Sequence, residues 1–326
     1  MKLSVIIPSY NQGDYIEETI ESILNQDYND IEIIVTDGGS NDNTVEILKK
    51  YDDQIAYWVS QKDNGQTDAI NKGLEHCTGQ IVTWLCSDDH WEPNKIGKVM
   101  KQFMDHPDVN LVCGNRRTYG MGIKDTTYQG WVAKDSLEET MCFGHYDQPP
   151  SFFRKEVWDQ IFPLSQELRV YMDCEMWLRY LLKYGKDKAI YLPEIVAHGR
   201  FHADSKSVNE AVPCRKVVNA FYATIANQVG LSNSILGKFD KLDKFNYGGK
   251  WKIEQPIDKE LLEECLNKRF ENQFKDPSYL YRDVASYFMF LGNAKAAMKN
   301  AIGAIKMRPF KLINYRTWFY AFRQQF

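Results

Sequence analysis

Two rhythms of apolar residues take turns along positions 1–114. One is the short β-branched run of a buried strand; the other is the three- and four-residue spacing of one helix face. Leu3-Ser4-Val5-Ile6-Ile7-Pro8 is the first run, and it ends in the turn-forming cluster Ser9-Tyr10-Asn11-Gln12-Gly13. Tyr15, Ile16, Thr19, Ile20, Ile23 and Leu24 then recur at helical spacing, with Glu17, Glu18 and Glu21 between them. Positions 31–35 read as a second strand ending at Asp37-Gly38-Gly39-Ser40, and Asn43-Thr44 caps a helix through Val45, Ile47 and Leu48. A third strand over 55–59 leads into Asn64-Gly65-Gln66-Thr67 and a helix over 68–77. A fourth strand over 80–85 ends in Cys86-Ser87-Asp88-Asp89, and a helix over 94–106 and a fifth strand over 110–113 follow. This order predicts an α/β fold. Its doubly wound, mostly parallel, Rossmann-like sheet carries helices on both faces, and ligands lie beyond the carboxyl ends of the strands.

The polar clusters after strands one, two and four therefore meet on one rim. Asp88 and Asp89 carry the strongest signal, because adjacent carboxylates at the end of a buried strand need a cation or hydrogen-bonding ligand to offset desolvation. Mg²⁺ or Mn²⁺ against a phosphate meets that need; a solvated turn capping the next helix is the plainer alternative. An aromatic ring for a base, carboxylates for imino and hydroxyl donors, and acids for a metal together suit a nucleoside diphosphate. Backbone amides of Gly65 and Gln66 lie beside them. No Gly-x-Gly-x-x-Gly follows the first strand and no Gly-Lys-Ser or Gly-Lys-Thr loop occurs, which removes support for dinucleotide oxidoreductase and P-loop readings.

Four motifs stand in register: Val5-Ile6-Ile7-Pro8-Ser9-Tyr10-Asn11, Asp37-Gly38-Gly39-Ser40-Asn41-Asp42-Asn43-Thr44, Asp68-Ala69-Ile70-Asn71-Lys72-Gly73 and Ser87-Asp88-Asp89. In this order and spacing the chain resembles the family two glycosyltransferases of GT-A fold, over roughly its first two thirds. The resemblance implies that Asp37 binds the base, Asp88 the ribose and Asp89 the divalent metal on the diphosphate. Pro8, Ser9 and Tyr10 would wall the nucleotide pocket, and Gly65, Gln66, Asp68 and Asn71 complete the donor contacts. Many relatives carry Ala-Arg-Asn at the third-helix motif, whereas this chain has Asp68-Ala69-Ile70-Asn71. Asp68 is thus a candidate for the donor sugar, or a first-turn acid favoured by the helix dipole.

Gln148-Pro149-Pro150-Ser151-Phe152-Phe153-Arg154, leading into a helix at Lys155, resembles the border of the family's acceptor cleft. Met172-Asp173-Cys174-Glu175-Met176-Trp177 resembles the family's Glu-Asp segment, with Met172 in place of the first acid. Asp173 is then the general base that takes the acceptor hydroxyl's proton, with Glu175 as the fallback; a helix cap is the structural alternative. One displacement inverts the anomeric carbon and needs no nucleophile from Cys86 or Cys174. Arg200, His202 and Ser205 match the family's Arg-x-His-x-x-Ser arrangement. That match implies a metal or phosphate contact for His202 and charge compensation of the diphosphate by Arg200 or Lys206; His198 is a weaker candidate.

At 326 residues, 44% of them hydrophobic, the chain has material for a full core and a smaller second unit. Seven cysteines without paired short spacing read as reduced thiols of a cytoplasmic protein. The first strand begins at once, with no signal peptide, and no apolar run spans a bilayer. The expected division is a catalytic region over 1–210, with a nucleotide-sugar half (1–114) and an acceptor half (115–210), then a helical appendage over 211–326. In the appendage Tyr281, Val284, Ala285, Phe288, Gly292, Ala297, Ala301, Ala304 and Pro309 follow one tetratricopeptide-like hairpin. Positions 241–255, with Tyr247-Gly248-Gly249-Lys250, read as a loop.

No acid follows Asp283, so the chain ends basic and aromatic. Leu312, Tyr315, Phe319, Phe322 and Phe326 form a stripe that either lies on an anionic membrane or packs on preceding helices; packing is the expectation preferred here.

The partners implied are a nucleotide-sugar donor, UDP-linked, and a saccharide or lipid-linked saccharide acceptor in cell-surface polysaccharide assembly, with no nucleic acid. A nucleotidyltransferase would share the acids and the metal but needs an Arg- and Lys-containing Gly-rich loop, which positions 9–13 do not provide. A non-catalytic interaction protein working through its helical tail is the third reading, opposed by the presence of Asp37, Asp88, Asp89 and Asp173 together.

Overall fold

The computed structural model describes residues 1–206, 211–239, 252–276 and 278–323. Most of the loop read over 241–255, residues 207–210 at the expected boundary and the last aromatic of the stripe, Phe326, lie outside them. The described chain forms two compact units. The first comprises Met1–Thr118, Thr127–Ala133 and Gly144–Arg200; the second comprises Tyr119–Thr126, Lys134–Phe143 and Phe201–Phe326.

The elements begin as the apolar rhythm predicts: β1 (Leu3–Ser9), α1 (Ile16–Leu24), β2 (Ile31–Asp37), α2 (Thr44–Lys50), β3 (Tyr57–Ser60), α3 (Gln66–Leu74) and β4 (Ile81–Trp84). After the two acids come β5 (His90–Trp91), α4 (Ile96–Asp105), β6 (Leu111–Gly120), β7 (Thr126–Gln129) and β8 (Trp131–Val132). Then follow α5 (Leu137–Phe143), β9 (His145–Tyr146), β10 (Ser151–Arg154), α6 (Lys155–Ile161), α7 (Met172–Tyr184) and β11 (Ala189–Phe201). The main sheet runs β3-β2-β1-β4-β10-β6-β11-β5, with β7 on β6. Its first four strands are parallel, and β1 pairs β2 so that Ser9 faces Asp37. Beyond β4 the pairing turns antiparallel at β10, which separates β4 from the expected fifth strand, here β6.

Every residue of β1 is buried, as suits a central parallel strand covered on both faces. Helix α1 turns Ile16, Thr19, Ile20 and Ile23 inward, and each fully buried isoleucine contributes about 2 kcal/mol. Helix α3 lies so close to β1 that a Cβ on Gly73 would stand 2.5 Å from Ile6 Cγ2. The antiparallel half is filled by rings: Trp158 packs edge-on to Trp84 and Phe153, and Trp177 lies 5.2 Å from Phe153.

In the second unit α5 is accompanied by α8 (Ala211–Val229), α9 (Asn233–Phe239), α10 (Lys259–Lys275), α11 (Tyr279–Phe290), α12 (Ala294–Met307) and α13 (Leu312–Arg323). Helices α11 and α12 form a hairpin around Gly292, with Val284, Ala285, Phe288, Ala297, Ala301 and Ala304 buried. The expectation that the aromatic stripe packs inward fails. Leu312, Tyr315, Phe319 and Phe322 are exposed, while Asn314 and Ala321 are fully buried. Asn314 Nδ2 donates to the Ala304 and Arg308 carbonyls at 2.9 Å each, and its Oδ1 accepts from Arg282 at 2.7 Å. These bonds satisfy a buried amide and let a polar residue take the inner face from the aromatics. No described helix is long and apolar enough to cross a membrane.

Candidate functional site

The rim opens at the paired ends of β1 and β2. Asp37 is buried, and its carboxylate is held by its own turn: Oδ2 accepts from Gly39 N, Ser40 N and Ser60 Oγ, and Oδ1 from Ser40 Oγ at 2.5 Å. Asn11 N donates to Ser40 Oγ at 2.7 Å and Asn11 Oδ1 accepts from Asn41 N at 2.9 Å, so the two strand-end loops brace each other. Pro8 is buried below, while Tyr10 stands 59% exposed beside it, free to cover a ligand. The Ser9 hydroxyl is buried with no hydrogen-bond partner among the described residues, a group that a ligand can satisfy.

Past β4 the chain turns sharply, Asp89 N donating to Cys86 O at 3.0 Å, and Thr19 Oγ1 secures the turn through the Ser87 and Asp89 carbonyls. Asp89 is buried and Asp88 half-buried. Arg200 clasps the pair with backbone and side chain: its backbone N–H donates to Asp89 Oδ1 at 3.0 Å and its guanidinium Nε to the Asp88 carbonyl at 3.2 Å. The guanidinium itself pairs with Glu18 and lies 5.1 Å over the Tyr15 ring. Burial, and then the neighbouring Asp88 charge, push the Asp89 carboxyl well above the usual range, against the opposing pull of Arg116.

A buried Asp89 whose ionised form is disfavoured, crowded by the Asp88 carboxylate, fits a hard divalent cation, whose charge offsets both burial and crowding. Ligand atoms of Cys86, Asp88 and Asp89 lie within 4.8 Å of one another. The two oxygens suit Mg²⁺ or Mn²⁺; the Cys86 thiol, which accepts from Gln66 Nε2 at 3.2 Å, is too soft a donor for either.

Asp173 is the second residue of α7. The N-cap position belongs to Tyr171, held in the left-handed region at φ 62°, so the capping alternative does not describe Asp173. Burial raises the Asp173 carboxyl; the Cys174 N–H lowers it, Asp147 raises it further and Arg116 opposes that rise. Glu175, the fallback base, is buried and committed to Arg179, Nε to Oε1 at 2.7 Å. Arg116 and Asp147 escaped sequence reasoning. They form an ion pair, Nε to Oδ2 at 2.7 Å, and their charges act on both Asp89 and Asp173. Arg116 stands in the polar outer half of β6, where a cation among strand residues was the one available signal.

The third-helix motif is engaged within the protein. Gly65, the α3 N-cap at φ 104°, takes a conformation that suits glycine, and Gln66 is half-buried behind it. Asp68 is buried, not an exposed first-turn acid. Its Oδ2 takes Lys72 Nζ at 2.9 Å and Asn64 N at 3.0 Å, and its Oδ1 takes Gln166 Nε2 at 3.1 Å. Asn71 exchanges two bonds with the Leu164 backbone, at 2.9 and 2.8 Å. His198 pairs with Glu92. His202 is buried at the start of the second unit's last segment, its N–H donating to Ser205 Oγ at 2.9 Å.

The model of Glycosyl transferase family 2 matches residues 4–162. An uncharacterized glycosyltransferase of Nostoc sp. is 30% identical over 234 residues, 65% of this chain and 68% of that protein. Chondroitin synthase of Pasteurella multocida is 27% identical over 249 residues, 74% of this chain and 25% of that one. Among solved structures, S. aureus TarS 1–349 in complex with UDP-GlcNAc superposes with a TM-score of 0.54 at 16% identity, covering 100% of this chain and 92% of that one. Mannosyltransferase PcManGT from Pyrobaculum calidifontis, in complex with GDP-Man and Mn²⁺, gives 0.52 at 17% identity, covering 99% and 86%.

Proposed function

The chain belongs to glycosyltransferase family 2, and from that premise we propose that it moves a sugar from a UDP-linked donor to a saccharide or lipid-linked saccharide acceptor. The transfer inverts the anomeric carbon and serves cell-surface polysaccharide assembly. One observation carries the reading: the ligand atoms of Asp88 and Asp89 lie within 4.8 Å of one another at the carboxyl end of β4, the strand paired with β1 and its Ser9-Tyr10 end. A donor seated on Asp37, Ser9 and Tyr10 directs its diphosphate to Asp88 and Asp89. Asp88 and Asp89 would hold a divalent cation, Mn²⁺ or Mg²⁺, which when bound would offset the charge of the diphosphate. Asp173, its carboxyl lifted by burial, is poised to take the acceptor hydroxyl's proton as the new bond forms. Arg116 offsets the accumulated negative charge. The complexes named for TarS and PcManGT support a nucleotide-sugar donor and a divalent ion. The name of chondroitin synthase supports a saccharide acceptor.

We also assign the exposed aromatic face of α13 to the anionic membrane surface on which a lipid-linked acceptor resides. Its cations stand among the rings, Arg316 over Tyr320 at 5.5 Å and Arg323 over Phe319 at 5.7 Å.

A thermal-shift panel of nucleoside diphosphate sugars with and without Mn²⁺ tests the donor assignment, because selective binding stabilises the folded state. UDP-sugars are expected to raise Tm only with metal, and Asp89→Ala to abolish the rise. An equal rise in chelator overturns the metal assignment, and a preference for another nucleotide overturns the donor.

A further inference from the structure

Helix α3 grips the chain that leads to Asp173. Its Thr67 Oγ1 donates to Leu168 O at 2.9 Å, Asp68 Oδ1 accepts from Gln166 Nε2 at 3.1 Å, and Asn71 exchanges its two bonds with Leu164 N and O. Residues 67, 68 and 71 share one helical face, so three neighbouring side chains fasten three alternate residues of one segment. That segment has no regular secondary structure of its own between α6 and α7. It ends at Tyr171, whose left-handed backbone turns the chain into α7 one residue before Met172 and two before Asp173.

The grip is anchored at both ends of α3. Toward its carboxyl end Gly73 presses on Ile6 of β1; at its start Gln66 Nε2 donates to Cys86 Sγ on the turn that carries Asp88 and Asp89. One rigid helix thus touches both the strand-end acids' turn and the segment before the helix-start acid. The buried Asp68 carboxyl fits this duty: burial raises it, but the hydrogen bonds from Lys72 and Asn64 outweigh burial and hold it below its ordinary value. It stays ionised and committed to partners inside the protein.

We infer that Thr67, Asp68 and Asn71 are positioning residues, which fix where Asp173 stands by holding residues 164–168 through their side chains. The inference rests on Asp173 as the base. A small displacement of a proton acceptor from the attacking oxygen lowers turnover without changing how the donor binds. Asp68 and Asn71 therefore serve the acceptor step from a distance, instead of touching the donor sugar.

The experiment compares Thr67→Val, Thr67→Ser, Asn71→Leu and Asp173→Asn in full-length protein by kcat, by UDP-sugar affinity from calorimetry and by Tm. Thr67→Val and Asn71→Leu are expected to lower kcat about tenfold or more with donor affinity held within about twofold, and Thr67→Ser to restore kcat. Ile47→Val, a core truncation on α2, controls for lost stability and should keep kcat. In the Asp173→Asn background, Thr67→Val should cost little further activity, because residues acting through one group are not additive. Unchanged kcat in Thr67→Val and Asn71→Leu, a parallel loss of donor affinity, or a full multiplicative loss in the double variant overturns the inference. Near wild-type turnover in Asp173→Asn overturns the base assignment itself, a separate outcome.

Discussion

His90 and His198 lie face to face on the paired strands β5 and β11, ring centroids 4.6 Å apart and planes 8° from parallel. Burial, and then the neighbouring His198 ring and Arg200, hold the His90 imidazole down at about 4, against the opposing pull of Glu18 and Glu92. The unfolded chain takes this proton near the ordinary histidine value of 6.5. Stability from neutral His90 is therefore fully present above about 6.5 and is lost as pH falls through about 4. His90→Gln removes the titration. Its melting temperature should fall less than the wild type's between about pH 7 and about pH 4. Equal slopes in the two melting series would refute the assignment.

Asp173→Asn separates catalysis from stability. General-base loss lowers kcat by about a hundredfold or more, while UDP-sugar affinity stays within about twofold. Because the folded carboxyl is raised from 3.8, its ionisation opposes folding as pH climbs through the raised value. The asparagine variant should melt higher than wild type at neutral pH and coincide with it in acid below the free value. A variant that melts lower at neutral pH contradicts the buried-acid account.

Gly73→Ala tests how α3 is seated. The added methyl would stand 2.5 Å from a methyl of the fully buried Ile6, in a strand with no room to move. A destabilisation of about 1–3 kcal/mol in urea unfolding is expected. Stability unchanged within error would mean that helix and strand part easily.

Sedimentation with lipid vesicles checks the α13 assignment. Phe310 is 98% exposed, Leu312 85% and Phe319 51%. Binding to vesicles containing phosphatidylserine is expected to exceed binding to neutral ones and to weaken with salt. Leu312→Ser combined with Phe319→Ser should abolish it. Equal binding to neutral vesicles in high salt, or none to either, removes the membrane from the account.

The parallel half of the sheet was legible because strands buried on both faces read as nearly continuous apolar runs rich in β-branched residues, broken only by Ser4 in residues 3–7 and by Glu32 in residues 31–35. Beyond β4 the signal fades. The outer half of β6, Asn115-Arg116-Arg117-Thr118, has no apolar alternation, and β5 and β9 are two residues long. Arg116 and Asp147 are brought together only by tertiary folding, so no local spacing announces them. Glu175 was different: Arg179 follows one turn later, a helical ion-pair spacing visible in the chain and passed over. The α13 stripe misled because helical periodicity identifies an apolar face but not which face is turned inward. Asn314, with its several internal bonds, reversed the orientation.

The lopsided crowding of the Asp37 carboxylate bears on the proposed contact between this residue and the donor's base. Among the described residues Oδ2 is saturated by three donors, whereas Oδ1 takes a single hydroxyl and can accept one bond more. An edge offering one N–H flanked by acceptors, as in uracil, matches that one further bond. Guanine, which presents adjacent N–H groups, would leave one of them unanswered.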